Sequence, residues 1–200
     1  MGTVRERARR GAAGTGVLWT EALLFGATEA LHDYHAGPGS FRATIAALRS
    51  HGARVSTPVT RSNFRHLGEL PPLMSGLKVS FWRLAVVAPS RDPDPVAPRL
   101  AMAAPHILRA LARAEAAGLQ ARVAGLPLCL MGPYADRSLP PATAAGERCR
   151  GCPAAADCSG VAPSYLDRFG DAELRRRPAV RLRQAPPDLS PLIWSASDLP

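Results

Sequence analysis

Lysine is all but missing from this 200-residue chain. Lys78 is the only one among 25 lysines and arginines, so the net charge of +9 is carried by arginine. Alanine and proline are as freely used as arginine, which reads as a compositional bias rather than a selected basic surface. Aromatic residues are scarce (3 Trp, 3 Tyr, 5 Phe) and do not interleave with arginine as a base-stacking surface requires. Nucleic acid is therefore not an expected partner. No run approaches eighteen uncharged apolar residues, so no transmembrane helix is expected. The basic start M-G-T-V-R-E-R-A-R-R is followed by a fairly apolar Val17–Ala27, but Glu21 interrupts that run and no cleavage site follows. The expectation is a cytoplasmic protein with no membrane partner. There is no G-x-S-x-G elbow, so a hydrolase triad has no support. What remains is an apolar fraction of 46%, enough to bury a core, in a length that suits one domain or one domain and an appendage.

Cysteine is also scarce, and its placement is informative. Cys149, Cys152 and Cys158 are spaced C-x2-C-x5-C, and Cys129 lies twenty residues upstream of Cys149 in G-L-P-L-C-L; there are no others. A C-x-x-C pair brings two thiolates to one metal from a tight turn, for which Gly151 and Pro153 are suitable residues. With a third thiolate nearby and Cys129 to close the set, four soft ligands suit tetrahedral zinc or an iron–sulfur cluster. A redox pair, two disulfides or free buried thiols are the alternatives. A reducing compartment favours metal over disulfides.

The chain reads as strands alternating with helices. Ala22–Phe25 is the end of a buried strand, and Ala30–Gly39 (A-L-H-D-Y-H-A-G-P-G) is a loop. Ser40 is a good N-cap for a helix over Phe41–Ser50 that ends at His51-Gly52. Arg54–Thr60 is a strand, and Pro58 argues for a sheet edge or a strand end. Asn63 caps a short helix, Phe64–Leu70, which Pro71-Pro72 ends. Leu77–Ala88 is a strand, and Pro89–Pro98 a rigid exposed loop. His106–Ala117 is a helix with Ile107, Leu108, Leu111 and Ala114 on one face and Gly118 after it. Leu119–Leu130 is a last strand-like run that contains Cys129. Such alternation implies right-handed parallel βαβ units, hence an α/β fold: a partial parallel (βα) barrel-like unit over 17–131. Residues 132–174 form a loop-rich cysteine module, 1–16 a start that is helical or disordered, and 175–200 an arginine- and proline-rich mobile tail.

Two stretches carry a family resemblance. L-F-G-A-T-E-A-L-H-D-Y-H-A-G-P-G-S-F-R-A-T-I-A-A-L (24–48) and V-S-T-P-V-T-R-S-N-F-R-H-L-G-E-L (55–70) resemble the middle of radical S-adenosylmethionine (radical SAM) proteins. The ending within 126–174, L-P-L-C-L-M-G-P-Y and then C-R-G-C-P-A-A-A-D-C-S-G, resembles the cysteine-bearing extension of many of them. The resemblance implies that Cys129, Cys149, Cys152 and Cys158 hold an auxiliary [4Fe–4S] cluster. It also implies the C-terminal half of a barrel. The family's C-x3-C-x2-C and its G-G-E-P segment are not present in this chain. S-adenosylmethionine would then be bound and cleaved only if another chain supplied that half. The strand at Ala22–Phe25 would begin the sheet with a bare edge, to be covered by such a chain or by self-association, against the alternative that residues 1–15 fold back over it. A zinc-stapled accessory protein or an inactive fragment is the alternative.

The resemblance places His32 and Asp33 in a loop after a barrel strand, at the ligand-binding end of parallel sheets. They are candidates for a substrate-side loop, against a plain loop hydrogen bond. Gly37-Pro38-Gly39-Ser40 precedes a helix N-terminus, where amides can meet an anion, but it lacks a phosphate-binding glycine spacing and reads as a turn plus cap. Arg175–Arg177, Arg181 and Arg183 read as a solvated tail, against an acidic partner.

Overall fold

The computed structural model describes residues 4–6, 20–51, 53–90, 95–139 and 145–179. Its centre is a six-stranded sheet whose strands lie in chain order: β1 (Val4–Glu6), β2 (Thr20–Leu23), β3 (Ala53–Val59), β4 (Val79–Val86), β5 (Ala121–Ala124) and β6 (Ser138–Leu139). From β2 to β6 every neighbour is parallel; β1 alone runs antiparallel, against β2. The helices are α1 (Glu29–Ala36), α2 (Ser40–His51), α3 (Leu70–Ser75), α4 (Leu100–Ala116) and α5 (Pro163–Phe169). The α/β class expected from the alternation is the observed one.

The pleat sorts the strand residues onto two faces. Val55 and Val59 of β3, Trp82, Leu84 and Val86 of β4, and Val123 of β5 share one buried cluster with Ile45, Leu48, Leu67, Ile107 and Leu111 from the helical segments. Leu23, Phe25, Ala85, Ala124 and Leu139 form a second, smaller cluster. The core helices thus pack on one face, as expected for consecutive right-handed crossovers between adjacent strands. The other face carries a polar knot. Arg83 is 4% exposed; it donates from Nε to Ser56 Oγ at 2.8 Å and pairs with Glu21, which also accepts from Ser56 Oγ. A buried guanidinium is tolerated because its charge and its donors are both matched there.

Several local expectations are corrected. Residues 29–36 are helix rather than loop: the Thr28 side chain accepts from Leu31 N, and His32 is the buried residue of that helix. Pro58 sits in a central strand. The β2–β3 ladder closes with Leu24 N donating to Ser56 O at 3.0 Å, so the proline interrupts little beyond that point. Asn63 is no cap. Its fully buried amide donates to Phe25 O at 3.0 Å and Pro58 O at 2.8 Å and accepts from Thr60 N at 2.8 Å. Phe64–Glu69 is a 3-10 helix, and Pro71-Pro72, instead of ending it, occupy the first turn of α3, where a missing N–H costs nothing. Helix α4 begins six residues before His106 and runs through Pro105. The strand-like run after Leu119 is paired only over Ala121–Ala124, so Cys129 lies beyond it. In the loop before α4, Ala97 and Pro98 are buried, and 91–94 lie outside the described residues. Gly52 and 180–200 also lie outside them. Among the described residues no helix is long and apolar enough to cross a membrane.

The edge of β2 is not bare, and the fold-back alternative is the one observed. Val4, Arg5 and Glu6 stand opposite Ala22, Glu21 and Thr20, so the start of this same chain covers the side of β2 read as open. An edge strand that lends its ladder to another chain is an aggregation hazard, and β1 removes it. Deleting residues 1–8 is therefore expected to turn a single sedimenting species into larger ones at micromolar concentration. Analytical ultracentrifugation of the two forms checks this; a truncated chain that sediments like the intact one would show that β1 guards nothing.

Candidate metal centre

The four cysteines arrive from two segments. Beyond the carboxyl end of β5, Pro127 in an extended conformation starts a 3-10 turn, Leu128–Leu130, with Cys129 at its middle. Cys149 ends a second 3-10 turn, Glu147–Cys149, whose first turn is capped by the Asp171 carboxylate accepting from Arg148 N at 2.8 Å. Gly151 then takes φ +67°, which only glycine adopts without strain, and the chain turns so that Cys152 N donates to Cys149 O at 2.9 Å. Further turns carry Cys158 back toward β5. There Ser159 Oγ donates to Leu126 O at 3.2 Å and fastens the loop to the sheet. Ala154, Val161, Tyr165 and Leu174 belong to the same core cluster as Ile107 and Leu111, so the cysteine segment is packed on the sheet unit.

Together Cys129, Cys149, Cys152 and Cys158 line one cavity of about 90 Å³, with Leu128, Gly160, Arg175 and Arg177 also on its wall. All four are half-buried and unbridged. Main-chain amides point at their sulfurs. Leu128 N and Gly160 N each donate to Cys158 Sγ at 3.4 Å, and Arg177 N donates to Cys152 Sγ at 3.4 Å. Burial pushes the Cys129 thiol up; the Arg175 amide draws it back, and the neighbouring Cys158 and Cys149 push it up again. Burial likewise raises Cys149, with Cys158 and Cys152 adding to the rise. These thiols stay protonated at neutral pH until a cation displaces the protons.

All four cysteines line the cavity. One tetrahedral zinc holds each sulfur at about 2.3 Å. Among the described residues no three or more His, Cys, Asp or Glu side chains converge to hold a single metal ion.

Arg175 and Arg177, read from sequence as the start of a solvated tail, belong to the cavity wall. One apolar residue, Leu174, followed by three arginines shows no periodicity that would have revealed it. Arg177 is half-buried, and its guanidinium donates to Leu128 O at 2.5 Å and Gly132 O at 2.7 Å.

His32 and Asp33 lie apart from this cavity, on α1 beyond the end of β2. His32 is fully buried, with Nδ1 accepting from Phe25 N at 3.2 Å and Nε2 without a hydrogen-bond partner among the described residues. Asp33 accepts from Gly39 N at 2.6 Å, Phe41 N at 2.7 Å and Ser40 Oγ at 3.0 Å. The anion that meets the amides after Gly37-Pro38-Gly39 is thus this chain's own carboxylate, favoured there by the amides and the dipole of α2. Burial works to raise the Asp33 pKa, but the bonds from Phe41, Gly39 and Ser40 outweigh it and the net shift is downward. An open groove of about 620 Å³ lies next to α1, lined by Tyr34, Ser62, His66 and Glu69 among others. Neither His32 nor Asp33 lines it.

No protein-family model matches the chain, and no curated protein or solved structure matches it either.

His32 supplies a pH dependence. Burial lowers its pKa from 6.5 to about 4, against a smaller raising effect of Asp33. The unfolded chain therefore binds a proton below pH 6.5 that the folded chain refuses until about pH 4, and stability falls with pH across that window. Moving from neutral pH to about pH 4.5 should cost about 2 kcal/mol through this one residue. Urea titrations at both pH values should show a smaller acid loss for His32→Gln than for the unaltered protein. Equal losses would show that His32 is not the group responsible.

Proposed function

We propose that Cys129, Cys149, Cys152 and Cys158 hold a [4Fe–4S] cluster in a protein related to the radical SAM enzymes, and that the cluster is an auxiliary one. The observation that carries this reading is the single cavity ringed by every cysteine of the chain, with main-chain amides aimed at the sulfurs. Thiolates spaced around a volume suit a cluster, whose iron atoms occupy the space between them; thiolates meeting at a point would suit zinc. N–H groups directed at ligand sulfurs are a recognised means of tuning such a cluster. Bound there, the cluster would supply one-electron transfer or substrate contact. Its position supports that role, because Cys129 follows the carboxyl end of β5, the end at which parallel sheets and barrels work.

The sheet supports the family reading at a coarser level. Five parallel strands in sequential order, with core helices on one face, are what part of a (βα) barrel looks like. No C-x3-C-x2-C occurs in this chain to leave an iron open for S-adenosylmethionine. A chain supplying the cofactor-cleaving strands would have to displace β1 from the edge of β2.

Anaerobically reconstituted protein is expected to be brown and to hold iron and sulfide, with uptake rising with pH as the raised thiols of Cys129 and Cys149 release their protons. Cys152→Ala should lose most of both. Protein that takes up zinc alone, or no metal, rules the cluster out.

Incubation with S-adenosylmethionine and dithionite should yield no 5′-deoxyadenosine above background. Turnover by this chain alone would overturn the auxiliary assignment.

A further inference from the structure

The segment after α5 passes along the whole cysteine region, and each of its contacts lands near a ligand or on the helix beside it. Asp171 caps the turn that ends at Cys149. Glu173 accepts from Ala101 N at 3.0 Å and from Tyr165 Oη at 2.6 Å, and Tyr165 Oη in turn accepts from Leu100 N at 2.9 Å, which anchors the segment to the start of α4. Leu174 is buried in the core. The Arg175 amide faces Cys129. Arg177 closes the path. Its amide donates to Cys152 Sγ, while its guanidinium spans the carbonyls of Leu128, next to Cys129, and Gly132. One residue therefore joins the segment bearing Cys152 to the segment bearing Cys129.

We propose that residues 171–177 form a strap closed by Arg177, a positioning residue that covers the cluster and tunes it. The proposal rests on the cluster reading above. A planar fork with fixed donors suits such a closure, because it holds two carbonyls at once, which a lysine ammonium on a flexible stem does less well. An N–H directed at a ligand sulfur draws charge from it and favours the reduced, more negative cluster. Covering the cavity also keeps water and oxidants from the thiolates.

The test compares Arg177→Ala, Arg177→Lys and, as a control, Arg176→Ala, since Arg176 is exposed and adjacent. In the reduced metal-free protein, iodoacetamide should label Cys152 about tenfold faster in Arg177→Ala than in the unaltered chain or in Arg176→Ala. In the reconstituted protein, iron should pass to a chelator roughly 10–100-fold faster, the usual cost of losing an outer-shell partner. The midpoint potential should become more negative in Arg177→Ala, which loses the charge and the fork that hold the amide in place, and move less in Arg177→Lys, which keeps the charge but not the fork. Unchanged labelling overturns the strap, as does an Arg176→Ala that behaves like Arg177→Ala. If Arg177→Ala does not fold, labelling of Arg177→Lys decides the strap in its place, with faster labelling expected. Unaltered protein that takes up no iron and sulfide sinks the cluster reading, while the labelling still decides whether Arg177 closes the cavity.

Discussion

The sheet depends on one buried amide. Asn63 is the only asparagine in the chain, and it stands where β2 and β3 leave the ladder. Pro58 has no N–H to carry the pairing further, and the carbonyls of Phe25 and Pro58 would otherwise be buried without donors. The Asn63 side chain donates to both and takes the Thr60 N–H on its oxygen, so three main-chain groups are satisfied by one residue. Each would cost about 1–3 kcal/mol if left buried and unpaired. No hydroxyl or carboxylate could replace it, because the site asks for two N–H donors and one acceptor together. The positions of α1, of the 3-10 turn after Asn63 and of the groove between them all follow from this point.

Three carboxylates in this molecule cap the N-terminal ends of helices and turns. Asp33 closes α2, Glu173 closes α4, and Asp171 closes the turn leading to Cys149. Each comes from a different part of the chain than the helix or turn it caps, so a cap here is also a tertiary tie. A short helix gains little from its own nucleation and needs such ties to stay wound. This accounts for Asp33, which has its hydrogen-bonding capacity committed to Gly39, Ser40 and Phe41.

Strands β3 and β4 and the Ile107–Leu111–Ala114 face of α4 were legible because their apolar residues repeat with a clear period and are buried where that period puts them. Helix α1 was not legible. It is only two turns long and runs straight into Gly37-Pro38-Gly39, it buries only His32, and its signal is a single threonine cap at Thr28. Pro58 lies near the end of β3, one of its two readings, but the strand is not at an edge. A local rule places proline at edges, and here a residue five positions away repairs the ladder it breaks. The prolines of α3 were read as a stop when they are a start, a difference set by which side of them the helix lies. For the candidate centre, spacing alone brought the four cysteines together on paper, and the fold brings them to one cavity. Spacing could not reveal the wall opposite them, because Arg175 and Arg177 reach the sulfurs through main-chain amides, which no side-chain pattern records.

The arrangement of that wall bears on what the cavity can hold. Raised thiols, half-buried and close enough to repel one another once ionised, are poorly placed as a standing thiolate set. Positive charge inside the ring reverses the balance, since a bound cation lets every proton leave and turns mutual repulsion into shared ligation. The amides from Leu128, Gly160 and Arg177 are oriented for sulfurs that carry charge, and main-chain dipoles fixed by turns need not reorganise when that charge arrives. Main-chain donors thus already face Cys152 and Cys158 before any charge arrives. Together with the raised thiols of Cys129 and Cys149, that arrangement is in keeping with the proposed cluster at the carboxyl end of β5.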